Sequence, residues 1–151
     1  MRNLNFPSYK SRIKNSENNT HIFDVIRKKF VVLQPEELVR QHCIQFLINE
    51  KNFPVSLINV EKVVQINGLN KRYDIVVYNS DGSIYLIVEC KAPRVKISQS
   101  AFDQIARYNL ALKASCLMVT NGLNHYFCTM DHNLGIYNFF KELPSYVKKK
   151  I

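Results

Sequence analysis

The chain has 151 residues, 46% of them apolar and 22% charged, which suits one globular domain with its own core and leaves no space for two. Twenty-one Lys and Arg against twelve Asp and Glu give a formal charge of +9, which points to a polyanionic partner and says nothing of fold. The absence of a glycine-rich phosphate loop argues against an ATP-driven motor, and the longest apolar run, Ile84 to Val88, is far short of the ~18 residues a membrane span needs.

Residues 1–20 are polar, carry no apolar signal-peptide core and read as a flexible amino-terminal arm, so a cytoplasmic location is expected. A domain over 21–147 follows, and 148–151 form a basic tail. From His21 to Leu33, β-branched and aromatic residues predict a strand. Pro35, with Glu36 and Glu37 behind it, suits the first turn of a helix: the ring presets φ and the acids meet the positive dipole end. Leu38, Cys43, Phe46 and Leu47 extend that helix to about Lys51, and Phe53-Pro54 ends it. Three strands are predicted next, over Lys62–Asn67, Arg72–Asn79 and Ile84–Ala92, with Asp81-Gly82 as a hairpin turn. Ser100 to Asp103 resembles a capping box opening a helix that runs to about Ala114. Cys116–Thr120, His125–Met130 and Gly135–Phe140 complete the strands. Helix, three strands, helix and more strands make an α/β fold with a central mixed sheet flanked by helices.

The hairpin fixes a register. If the loop is symmetric about Asp81-Gly82, facing residues have numbers that sum to 163, and Asp74 faces Glu89. Facing side chains have Cβ atoms about 4.5–5.5 Å apart. Two carboxylates there repel, so one takes a proton or a cation sits between them. Lys91 shares the face of Glu89, and Arg72 would face Lys91. Tyr78 and Tyr85 also sum to 163 and are expected to pair. The bland reading of the cluster is a structural ion pair of Lys91 with Glu89. The sharper reading is a hard-cation site for Mg²⁺, with Mn²⁺ as substitute, completed by water, a phosphate oxygen and the Cys90 carbonyl. With a lysine beside it, that is the equipment of metal-assisted phosphodiester hydrolysis.

Asp74 followed by Glu89-Cys90-Lys91 resembles the signature of the PD-(D/E)XK nucleases, with Tyr73 where the motif's name has Pro. Gln104 to Tyr108 reads as the QxxxY motif of the RecB-like branch. The blocks Pro35–Gln41, Arg72–Val76, Val88–Pro93, Asp103-Gln104 with Arg107–Asn109, and Val119–Gly122 resemble the amino-terminal nuclease domain of type I restriction enzyme R subunits. The resemblance implies a restriction-endonuclease-like fold. It implies Asp74 and Glu89 as metal ligands, Lys91 as catalytic lysine, and Gln104, supported by Tyr108, as the residue orienting the nucleophile or the scissile phosphate. It also implies a helix acid, for which Glu37 is preferred because it shares a helical face with Arg40, Gln41 and Ile44; Glu36 is the alternative.

Nothing in the chain resembles a helicase. The positive charge lies at both ends: residues 1–34 hold seven basic and two acidic side chains, and 93–151 hold eight and three. Arg72, Arg94, Lys96, Arg107 and Tyr108 are the candidate DNA contacts. Four cysteines without a CxxC pair read as buried small hydrophobes. The four histidines lack metal-ligand spacing, and Asp131-His132-Asn133 reads as a surface turn. DNA is the expected partner, with a second copy or other restriction-system subunits beside it and no membrane. The rival function is a nucleic-acid-binding or assembly module that does not cleave.

Overall fold

A computed structural model describes residues 3–66 and 68–148. Of the segments expected above, Met1 and Arg2 of the arm, Asn67 of the first hairpin strand and 149–151 of the basic tail lie outside the described residues. The elements are β1 (Ile13–Asn15), β2 (Thr20–Asp24), β3 (Lys29–Val32), α1 (Pro35–Asn49), β4 (Ile58–Ile66), β5 (Leu69–Tyr78), β6 (Ile84–Cys90), α2 (Gln99–Leu112), β7 (Cys116–Thr120), β8 (His125–Asp131) and β9 (Ile136–Phe140). A single 3₁₀ turn, Val55–Leu57, leads into β4.

The six long strands form one sheet in the order β4-β5-β6-β7-β8-β9. Only β6 and β7 are parallel, because α2 carries the chain back between them; every other neighbour is antiparallel. The sheet is covered on both faces, as its doubly apolar strands require. On one face Val39, Cys43, Ile44 and Leu47 of α1 pack on Ile75, Val77, Leu86, Val88 and Met118. On the other, Phe102, Ile105 and Ala106 of α2 pack on Val76, Ile87, Leu117 and Val119. Each large aliphatic side chain so buried is worth about 1.5–3 kcal/mol. The four cysteines are buried and free.

The amino terminus differs from the expected arm. β1, β2 and β3 form a separate three-stranded antiparallel sheet. Leu4 and Phe6 pack against the α1-side core. The Asn5 N–H donates to the Gly122 carbonyl at 2.7 Å, and a Cβ on Gly122 would stand 2.9 Å from Leu4 Cδ2. The single strand expected over 21–33 is a hairpin instead. Its turn has no Gly or Pro. The Asp24 carboxylate takes the Ile26 and Arg27 amides at 2.8 Å, and Lys28 adopts φ 55°.

Two further details depart from the patterns. The cap of α2 is Ser98, whose Oγ accepts the Ala101 amide at 3.2 Å. Asp103 bonds Gln99 and the Tyr137 hydroxyl instead of closing a capping box. A register shift between Val77 and Tyr78 pairs Tyr78 with Ile84, so the Tyr78–Tyr85 pair does not form.

Candidate active site

β5 and β6 keep the expected register through Val77↔Leu86, Val76↔Ile87 and Ile75↔Val88. There they part. β5 stays with β4, pairing Tyr73 with Lys62, while β6 stays with β7, pairing Glu89 with Val119. Asp74 and Glu89 are therefore not ladder partners, nor are Arg72 and Lys91; they flank a fork. The two acids still meet across it. Asp74 Oδ2 accepts the Cys90 amide at 2.8 Å, and the Asp74 charge acts on the Glu89 carboxyl.

A second irregularity lies on the β4 side. Glu61, whose number continues the β4–β5 register opposite Asp74, has φ 53°, and the ladder skips that position. β5 changes faces there. Ile75 and Val77 pack toward α1, whereas Tyr73 packs with the α2 cluster.

Burial pushes both fork carboxyls up. Asp74 is raised although the Cys90 amide, Arg40 and Lys91 oppose the shift. Glu89 is raised to about 8, first by burial and then by the Asp74 charge, against Lys71 and Lys91. The pair thus retains a proton near neutral pH. Glu89 is 9% exposed and its Oε1 has no hydrogen-bond partner.

The two helix acids stand in different surroundings. Burial raises the Glu36 carboxyl and Asp74 raises it further, while Lys91 and Arg40 pull it down. Glu37 is buried and saturated. It accepts from Arg27 Nη2 at 2.7 Å, from Arg40 through Nε at 3.0 Å and through Nη2, and from Gln41 Nε2 at 2.9 Å. The helical face shared with Arg40 and Gln41 thus identifies Glu37's structural partners. Arg40 also reaches Glu61 at 3.2 Å and Asp74 at 3.5 Å.

Residues 35–144 match the model of the family described as type I restriction enzyme R protein N terminus (HSDR_N). The chain belongs to that family. The match takes in α1, the six-stranded sheet, α2 and every residue of the fork, and begins after β1–β3. The chain is also similar to a solved fragment described as an HsdR subunit of a type I restriction enzyme from Vibrio vulnificus YJ016, with 20% identity and a TM-score of 0.47. That similarity covers 68% of this chain and 22% of that one, so the chain spans about a fifth of its length. No curated protein matches the chain significantly.

In this R-protein N-terminal domain the other expected residues divide. Lys91 follows β6 directly, its amide bonded to the Thr120 carbonyl at 2.8 Å and its charge felt by Glu36, Asp74 and Glu89. Tyr108 is exposed on α2 with its ring against Lys71, and Gln104, one turn earlier, is exposed. Arg72, Arg94, Lys96 and Arg107 are exposed and form no ion pair among the described residues. Asp131 caps its own turn at Asn133 and Leu134, as a surface turn should.

Lys71 was not anticipated. Its Nζ lies 3.8 Å from the Tyr108 ring centroid and 4.9 Å from that of Tyr73. Burial lowers its pKa, while Glu89 and Asp74 raise it. The only signal in the sequence was its alternation with Tyr73.

Among the described residues no group of three or more His, Cys, Asp or Glu is arranged to hold a metal ion. Two carboxyls with raised pKa values and an unpartnered buried oxygen nonetheless fit a hard divalent cation that keeps most of its water. No helix of the described residues is long and apolar enough to cross a membrane.

Proposed function

We propose that the chain is a Mg²⁺-dependent DNA endonuclease domain of PD-(D/E)XK type that hydrolyses phosphodiester bonds. One observation carries the reading: Asp74 and Glu89 flank one strand fork, burial raises both carboxyls despite the cations around them, and Glu36 and Lys91 act on Asp74 as well. Asp74 and Glu89 would hold Mg²⁺, or Mn²⁺ in its place. The ion would lower the pKa of a bound water and offset charge on the phosphate. Lys91 would hold the attacking water against the phosphate, and Glu36 would accept a hydrogen bond from it. Gln104 would orient the scissile phosphate. Arg72, Arg94, Lys96 and Arg107 would track the backbone. DNA in the cytoplasm is the substrate in this reading, with a second copy or other restriction subunits as partners.

The test is cleavage of plasmid and linear DNA with Mg²⁺, and with chelator as control. Asp74→Ala, Glu89→Ala and Lys91→Ala should each reduce cleavage to background. Full activity in all three would overturn the assignment.

A second reading, a DNA-binding or assembly module that does not cleave, is favoured by the Arg40 guanidinium 3.5 Å from Asp74, which already supplies a cation to that carboxylate. Salt-sensitive DNA binding without turnover in Mg²⁺ or Mn²⁺ would select it. So would a melting temperature indifferent to either ion, since a ligand of the folded state must stabilise it.

A further inference from the structure

The α2 side of the fork carries a set of hydrogen-bond donors that the carboxylates do not use. Lys71 lies on β5 three residues before Asp74, beyond the position where β5 changes faces. Its ammonium stands over the Tyr108 ring at 3.8 Å and within 4.9 Å of the Tyr73 centroid. Cation–π contacts of this kind fix the direction of a flexible side chain. Lys71 closes no ion pair among the described residues, although Glu89 and Asp74 both act on it.

Tyr73 supplies an independent observation. Its side chain is 1% exposed, and its hydroxyl is buried without a hydrogen-bond partner. Such an orphan is unfavourable until a ligand or water meets the group. Glu89 and Tyr108 are the charges that act on this hydroxyl, so it belongs to the same corner as Lys71. An ammonium and a hydroxyl together, beside a carboxylate pair, are suited to an anion that also binds a cation.

We propose that Lys71 and the Tyr73 hydroxyl, walled by Tyr108, form a subsite for a backbone phosphate of DNA next to the Asp74–Glu89 pair. The ammonium donates to a non-bridging oxygen of that phosphate. Tyr108 holds Lys71 from α2, which gives the second residue of the QxxxY motif a specific task. The subsite deepens the nuclease reading and rests on it for the identity of the anion.

The experiment measures anisotropy of a labelled duplex oligonucleotide with the full chain in Ca²⁺, across a salt series, beside Mg²⁺-dependent cleavage. Lys71→Met should weaken binding about tenfold near 100 mM salt and reduce the salt slope by about one phosphate contact. Tyr73→Phe removes only the hydroxyl and should weaken binding several-fold without lowering the melting temperature. Tyr108→Leu should weaken binding as Lys71→Met does, since the ring holds Lys71. Wild-type affinity and slope in both Lys71→Met and Tyr73→Phe would overturn the subsite, even if the wild-type chain cleaves DNA. A Lys71-dependent slope in a chain that never cleaves would keep the subsite and overturn the nuclease reading. Failure of the wild-type chain to bind DNA would overturn both.

Discussion

Two groups of carboxylates lie side by side in this domain, and they are built on opposite terms. Asp24, Glu37 and Glu61 are served by Arg27 and Arg40 through five ion pairs, with Gln41 donating to both Asp24 and Glu37. Asp74 and Glu89, across Arg40, have one ion pair between them among the described residues. Asp24 is completely buried, and burial alone would raise it, yet the Arg27 amide and side chain and Gln41 hold it below its ordinary value. Glu89 is almost as buried and stands at about 8. Similar burial with opposite shifts means that partners decide the outcome. A saturated group is part of the framework; an unsaturated one is available to a ligand.

Breaking the framework should produce the largest effect. Arg40→Ala leaves Glu37 buried with half its donors and removes the cation beside Asp74. A cost of about 3–5 kcal/mol is expected in urea unfolding, the usual penalty for stranding a buried charge. A cost below 1 kcal/mol would mean that the network is no framework.

The two helix acids separate the groups next. Glu37→Ala should destabilise by about 3 kcal/mol, because two largely buried guanidinium groups each lose one of their acceptors. Glu36→Ala should leave the unfolding midpoint close to wild type while reducing cleavage. Sequence patterning alone could not have sorted these neighbours. Helical spacing correctly placed Glu37 with Arg40 and Gln41, but a side chain with three donors is finished chemically. Hairpin numbering fared better: the sum of 163 holds from Ile75 to Val77, though the ladder stops before it would pair Asp74 with Glu89. What it missed comes from long-range structure. The fork opens where β5 and β6 stop pairing while each keeps its outer neighbour, β4 or β7, and Lys71 lies beyond the point where β5 changes faces, between Tyr73 and Ile75, which no turn residue marks. The β1–β3 sheet was lost for a similar reason, since its hairpin turn is capped by Asp24 and its edge strand is only three polar-flanked residues.

Titration distinguishes the groups more finely. Glu89 binds its proton more tightly folded than unfolded, so between the ordinary carboxyl range and about 8 the folded state holds the extra proton. Stability of the metal-free chain should therefore fall as pH rises through that window. Asp24 has the opposite sign: its folded pKa is depressed, so its contribution is present above the ordinary range and is lost as pH falls through the folded value. Glu89→Gln should abolish the alkaline loss and leave the acid loss intact. Asp24→Asn should do the reverse. Melting curves from pH 3 to 9 check both, and an unchanged alkaline limb in Glu89→Gln would assign that limb to another group.

The smallest change tests how the framework is made rather than whether it exists. Arg27 uses Nε, Nη1 and Nη2 on three different acids, Asp24, Glu61 and Glu37. A lysine keeps the charge but has one nitrogen on a flexible stem and cannot reach all three. Because Arg27 is 18% exposed and its Glu61 partner 39%, solvent screens part of the loss, and Arg27→Lys should cost about 1 kcal/mol. The β2–β3 turn that carries Arg27 precedes the span matching the family, whereas Glu37, Glu61 and Arg40 lie inside it. A measurable loss in Arg27→Lys would therefore show that the amino-terminal sheet helps set the charge around Arg40 and, through it, around Asp74. Unchanged stability together with unchanged cleavage would confine that sheet to covering the core.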